Sequence, residues 1–288
     1  MARGPSIIEL GHWLRTAPGR YLLDWELGRL DHAVIDAFGF HALQLGLPEV
    51  DALRANRMPH RWVVNDTPVV PEPLPVQAPH DDDITTLAPE MPVALACAFE
   101  ALPFPADSID LVVLPHSLEF ARDPHQMLRE VERVLRPEGR LVISGFNPAS
   151  LWGLRQRVSR VRLGIGLGRG HPYLPREGDF IGYWRLRDWV RLLGFEIEAG
   201  QFGCWRPPLT TARWLERFDW MDRVGEQWWP VLGAAYVLVA VKRVRGMRMV
   251  GLAQRKVRPS RAAAAVVTRR DPPGVTPQAE PAIHSERT

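Results

Sequence analysis

Between residues 92 and 146 the chain alternates short, almost uninterrupted apolar runs with one amphipathic segment. That alternation restricts the fold more than any other feature of the sequence. "PVALAC" (92–97) and "DLVVLP" (110–115) are too short for helices and show no apolar–polar alternation. Strands of that kind are covered on both faces. Between the second run and "RLVISGF" (140–146) lies "DPHQMLREVERVLRPEGR". Asp123 suits a helix N-cap and Pro124 the first helical position. Met127, Leu128, Val131, Val134 and Leu135 fall on one side of the helix, which Pro137 and Gly139 close. Strand, helix, strand in this order predicts a right-handed crossover and parallel pairing.

The same pattern extends in both directions. Residues 19–38 place Leu22, Leu23, Leu27, Leu30, Val34 and Phe38 on one helical face. "HALQL" (41–45) reads as a strand running into Gly46, residues 49–57 as a short helix, and "RWVVN" (61–65) as a second strand. Residues 149–160 read as helical. "YWRLRDWVRLLGFEIEAGQF" predicts a helix ending at Gly194 and a strand after it, and "AAYVLVAVKRV" (234–244) a last strand. The expected fold is α/β, a mostly parallel sheet flanked by helices. Residues 67–91, with six prolines and Asp81-Asp82-Asp83, predict a long loop, as does the glycine- and proline-rich stretch 163–180. The eleven tryptophans gather late in the chain and are expected to serve mostly in helix packing and core. Three regions are expected: an N-terminal helical segment over 1–40, the α/β domain over 41–245, and a basic disordered tail over 246–288.

Charge and cysteine content narrow the function classes. Residues 242–270 hold ten Lys and Arg and no acid, so the net charge of +3 conceals a mildly acidic domain. Two cysteines make no disulfide framework, and no C-x-x-C or H-E-x-x-H spacing occurs. The first twenty residues lack the apolar core of a signal peptide. The longest apolar run, 228–241, falls short of the ~20 residues that a spanning helix needs. The expectation is a soluble cytoplasmic protein without a metal. The tail suits contact with anionic surfaces. It has no aromatic residue between 245 and 288 with which to stack single strands.

In open α/β sheets, ligands bind beyond the carboxyl ends of the strands. Those ends are Gly46-Leu47-Pro48, Asn65-Asp66, Ala98-Phe99-Glu100, Pro115-His116 and Gly145-Phe146-Asn147. Gly46 lets backbone approach a ligand. Asp66, twenty residues further on, stands where a carboxylate accepts both hydroxyls of a ribose. Both residues also suit plain turns. The unperturbed pKa of a histidine lies near neutrality, which makes His116 the candidate base, with Glu119 second.

"ALPFPADSIDLVVLPHSLEFARDPHQMLREVERVLRPEGRLVISGFNP" (101–148) resembles the class I S-adenosylmethionine-dependent methyltransferases of the methyltransferase-11 type. "SGFNPASLWGLR" is similar to a bacterial subgroup of them. The resemblance implies a Rossmann-like class I methyltransferase fold with S-adenosylmethionine as cofactor. It implies that Gly46 and Leu47 adjoin the methionine part and that Asp66 holds the ribose. Ala98 stands where the family often has an acid for the adenine amino group, and Phe99 flanks the adenine. His116 would face cofactor and substrate. The loop after the first strand lacks the family's other glycines, and Pro48 has no N–H to offer. Three functions follow as expectations. One is methyl transfer to a small or lipid-like acceptor in preference to nucleic acid. A second is a non-catalytic relative that has lost the cofactor and acts through a partner or its tail. A third is a nucleic-acid-associated scaffold for the tail.

Overall fold

The computed structural model describes residues 6–66, 92–164, 173–175 and 178–243. Seven strands form one sheet: β1 (His41–Leu45), β2 (His60–Asn65), β3 (Val93–Ala96), β4 (Ile109–Pro115), β5 (Leu135–Phe146), β6 (Phe195–Gly203) and β7 (Ala235–Lys242). Their order is β3-β2-β1-β4-β5-β7-β6. The first five pair in parallel, and β7 enters antiparallel between β5 and β6.

Alternate residues of the strands serve two cores, which explains why the runs look continuously apolar. Leu43, Leu45, Val112, Leu114, Leu141 and Ile143 belong to one core. It is shared with α4 (Pro124–Val134) and α6 (Tyr183–Leu192). Ala42, Leu111, Val113, Val142, Val237 and Val239 belong to the other, with Leu30 and Val34 of α2 (Ala17–Ile35). A third apolar cluster joins Leu10 and Leu14 of α1 (Ser6–Leu14) to Leu47, Phe146 and Trp152.

Helix α4 is capped as expected, with the Asp123 carboxylate accepting from the N–H groups of His125 and Gln126. A helix of this length is marginal alone. Its four buried side chains, Met127, Leu128, Val131 and Val134, contribute about 1.5–3 kcal/mol each. The helix ends at Val134, before the expected Pro137. Leu135 turns to extended backbone and pairs with Ile109 of β4. The Lys242 ammonium then donates to the freed carbonyls of Glu132 and Leu135 at 2.7 and 2.8 Å.

Other expectations are corrected. Residues 49–57 contain turns and no α-helix. Helix α2 stops at Ile35, and Phe38, expected on its apolar face, is exposed. The late tryptophans are largely outside the core. Trp205 is buried, whereas Trp184, Trp214, Trp220, Trp228 and Trp229 are each more than half exposed. Three of these lie on short helices not foreseen from sequence, α7 (Ala212–Arg217) and α8 (Trp220–Trp228), which precede a 3-10 turn at Pro230–Leu232. The remaining helices are α3 (Ser117–Phe120) and α5 (Leu151–Gly164). The Asp81–Asp83 loop, most of the glycine-rich stretch and the basic tail lie outside the described residues. Residues 1–245 form one unit and residues 246–288 another.

Candidate functional site

The carboxyl ends of β1, β2, β3 and β4 bring the expected residues to one edge of the sheet. Gly46 has φ +79°, and a Cβ there would stand 2.9 Å from the Ser117 hydroxyl oxygen. Conformation and space both require glycine at this position. Leu47 follows with φ +48°, an uncommon conformation for a branched side chain. Its side chain is buried in the cluster containing Leu10, Val50, Phe146 and Trp152. The buried Gln44 side chain clamps this connection. Its amide nitrogen lies 3.1, 3.0 and 2.8 Å from the carbonyl oxygens of Gly46, Leu47 and Val50. Its oxygen accepts from Ala52 N–H at 3.0 Å.

Asp66 stands just past β2, half-buried, and its carboxylate makes no hydrogen bond among the described residues. Burial raises its pKa, the charge of Glu100 adds to the rise, and Arg122 opposes it. Ala98 is exposed beside it, whereas Phe99 is buried in the core of Leu45, Leu102 and Leu118. The Phe99 ring edge is 3.7 Å from the position a Gly46 Cβ would take. Phe99 thus packs against the β1 turn and offers no open face to an adenine.

His116 is fully buried at the end of β4, in the left-handed region at φ +53°. Its Nδ1 lies 2.9 Å from Glu119 and its Nε2 lies 3.2 Å from Glu26 of α2. Ser144 donates to the other Glu26 oxygen, and Phe146 N–H donates to the other Glu119 oxygen at 2.6 Å. Burial lowers the imidazole pKa, but the two carboxylates outweigh it and push it up to about 10. Burial likewise works against the Glu26 charge, yet the imidazolium and the hydrogen bonds hold its pKa below the ordinary value. For Glu119 burial wins and the pKa is raised. A protonated ring with both nitrogens engaged is a structural cation. Both nitrogens face carboxylates, so neither is left open to a substrate as the role of base expected of His116 would need. Glu26 escaped the sequence reading, although a visible signal existed: an acid on the apolar face of the helix, four residues from both Leu22 and Leu30.

A separate cleft of about 760 Å³ opens between α2 and the α7–α8 segment, lined by Arg20, Tyr21, Trp25, Trp205, Arg206 and Asp222. None of the expected site residues lines it. No group of His, Cys, Asp and Glu that could hold a metal occurs among the described residues.

An adenosyl sulfonium asks for an acceptor at its ribose and for donors at its amino-acid carboxylate. The ribose end fits, because the Asp66 carboxylate has no other hydrogen-bond partner among the described residues. At the other end the fit rests on main chain alone: the Leu47 N–H has no acceptor among the described residues. The side chains of Leu47 and Phe99 are both turned into the protein's own packing.

Residues 82–143 match the family model of the methyltransferase-11 type, described as a methyltransferase domain. The chain is 40% identical over 114 residues to the uncharacterized protein YafS of Escherichia coli K12, covering 40% of this chain and 44% of that one. It is 50% identical over 48 residues to the ubiquinone/menaquinone biosynthesis C-methyltransferase UbiE of Hahella chejuensis, covering 17% and 19%. The chain spans less than half the length of these curated relatives. Among solved structures, a chain of the Haloferax volcanii complex between the Trm112 methyltransferase activator and a methyltransferase superposes with TM-score 0.50 at 18% identity. That match covers 84% of this chain and 99% of the other, and it shows a shared fold.

Proposed function

We propose that this chain, whose fold and whose residues 82–143 are those of the class I S-adenosylmethionine-dependent methyltransferases of the methyltransferase-11 type, transfers a methyl group to a small or lipid-like acceptor. The observation that carries the reading is the Asp66 carboxylate, without an internal hydrogen bond among the described residues, at the end of the strand beside β1. When bound, the cofactor supplies a methyl group already activated on a sulfonium. The protein's task is then to align donor and acceptor and to exclude competing reactions.

Asp66 holds the ribose hydroxyls. Gly46 and the Leu47 N–H form the wall at the methionine end, and exposed Ala98 leaves the adenine edge open. His116 is a positioning residue: its charge ties α2 and α3 to the ends of β4 and β5. A second reading, a non-catalytic methyltransferase fold, draws on one observation. Leu47 and Phe99 occupy space beside the β1 turn, and Gln44 fixes that turn in place.

Calorimetric titration with S-adenosylmethionine and with its demethylated product separates the two. Methyl transfer predicts binding that Asp66→Ala weakens about 10- to 100-fold, as expected for lost hydrogen bonds to a charged group. No heat with either ligand at millimolar concentration leaves the non-catalytic reading standing.

A further inference from the structure

Helix α5 wears its amphipathicity reversed. At about 100° per residue, Trp152, Gly153 and Gln156 share the side that faces the protein. All three are buried, and the Gln156 amide nitrogen donates to Leu174 and Pro175 carbonyls. On the opposite side Leu151, Leu154, Val158 and Val161 line up in one stripe. Leu154 is 57% exposed and Val161 63%. Arg155 and Arg157 flank that stripe, one on each side, and both are exposed, Arg155 also donating to the Pro208 carbonyl and lying over the Tyr173 ring. No acid occurs anywhere in the helix. Single exposed apolar residues are ordinary, but a contiguous stripe of four is not.

A second apolar surface lies near the end of the described chain. Trp214, Trp228, Trp229, Val231 and Leu232 are exposed on α7, α8 and the 3-10 turn, Trp228 to 70%. Hydrogen bonds tie the 3-10 turn and the stretch before α7 to the start of α5. The Asn147 amide donates to Val231 and Gly233 carbonyls at 2.8 and 2.9 Å, and Trp152 Nε1 donates to Arg206 O at 2.8 Å. Tryptophan is the side chain best suited to a boundary between water and hydrocarbon, apolar in body and polar at one tip.

We infer that α5 together with the α7–α8 segment forms a docking face for an anionic lipid bilayer, on which this chain lies without crossing it. Charge complementarity along α5, whose charged residues are all arginines, selects this occupant. Arginines bordering an apolar stripe place guanidinium groups at headgroup phosphates while the stripe enters the acyl boundary. A second copy seated on the same stripe would oppose arginine to arginine. Among the described residues no helix is long and apolar enough to span a membrane, which is consistent with lying on its surface. The inference is independent of methyl transfer and of residues 246–288.

Vesicle sedimentation of the full chain tests it, with phosphatidylcholine alone against phosphatidylcholine mixed with phosphatidylglycerol. Brominated acyl chains in the second set report tryptophan depth. Two variants accompany the wild type, Leu154→Glu with Val158→Glu, and Trp228→Ala with Trp229→Ala. All four positions are exposed, so folding is retained and is checked by circular dichroism. The expected result is partition onto the anionic vesicles, quenching of tryptophan emission by bromine, and partition at least about tenfold weaker in the α5 variant. Absence of wild-type partition overturns the proposal. So does partition that neither variant diminishes, which would assign binding to another basic segment. A wild-type dimer that the α5 substitutions dissolve, seen without lipid binding, overturns it in favour of self-association.

Discussion

His116 lies where water does not reach, and the two carboxylates beside it favour its protonated form. Removing the ring leaves Glu26 and Glu119 buried without a counter-charge. We expect His116→Ala to cost about 3–5 kcal/mol in urea unfolding, well beyond the loss of one exposed pair. A base poised at a reacting centre would behave otherwise, with activity lost and stability kept. The pH dependence has a definite sign. Because the folded pKa stands above 6.5, the imidazolium's contribution is fully present below that pH and is lost as pH rises through about 10. Over this window the folded protein keeps a proton that the unfolded chain has released. Stability measured from pH 6.5 to 10 should therefore fall in the wild type, and the variant should lack that component. On the acid side Glu26 and Glu119 shift in opposite directions, so their contributions offset one another. This triad was hidden from sequence because Glu26 and His116 lie ninety residues apart. The place of Asp66 just past β2, by contrast, was legible, since a strand end is a local property of the chain.

Among the elements, the connection from β1 to β2 departs most from what sequence implied. Residues 49–57 have acceptable helical composition, yet the chain there is turns, because a side chain outside the segment claims its backbone groups. Within the segment the Gln44 amide meets the Val50 carbonyl and the Ala52 N–H, and just before it the carbonyls of Gly46 and Leu47. Gln44→Met keeps the length and removes the polar end. It strands several buried backbone groups at about 1–3 kcal/mol each, so a loss of at least about 3 kcal/mol is expected in urea unfolding. A loss below 1 kcal/mol would mean that the turn stands without its clamp. Helix α4 shows the converse case. Its cap, its apolar stripe and the proline at its first position agree with one another, and the structure keeps all three. Only its end moved, because Lys242, more than a hundred residues away, offers the terminal carbonyls a better partner than further helix.

For the whole molecule, the parallel core of the sheet was readable, since doubly covered strands announce themselves by composition. The place of β7 was not, because an antiparallel strand buried on both faces has the same composition as a parallel one. A cofactor that binds only the folded chain must raise its melting temperature. At a hundred times the dissociation constant the gain is ~2.7 kcal/mol, or about 5–10 °C for a chain of this size. Thermal melts with S-adenosylmethionine should show that shift, and Asp66→Ala at the same concentration about half of it or less. An unmoved wild-type midpoint would count against cofactor binding as a whole. The position of β7 also sets an order of events. It is the last strand of the sheet, yet it fills the slot between β5 and β6. Until residues 235–242 have left the ribosome, both of those strands present bare edges to the cell. A nascent chain stalled anywhere before that point has all the ingredients of its sheet but one, and the missing strand joins the two portions. Chaperone capture should therefore end abruptly, when this one strand emerges.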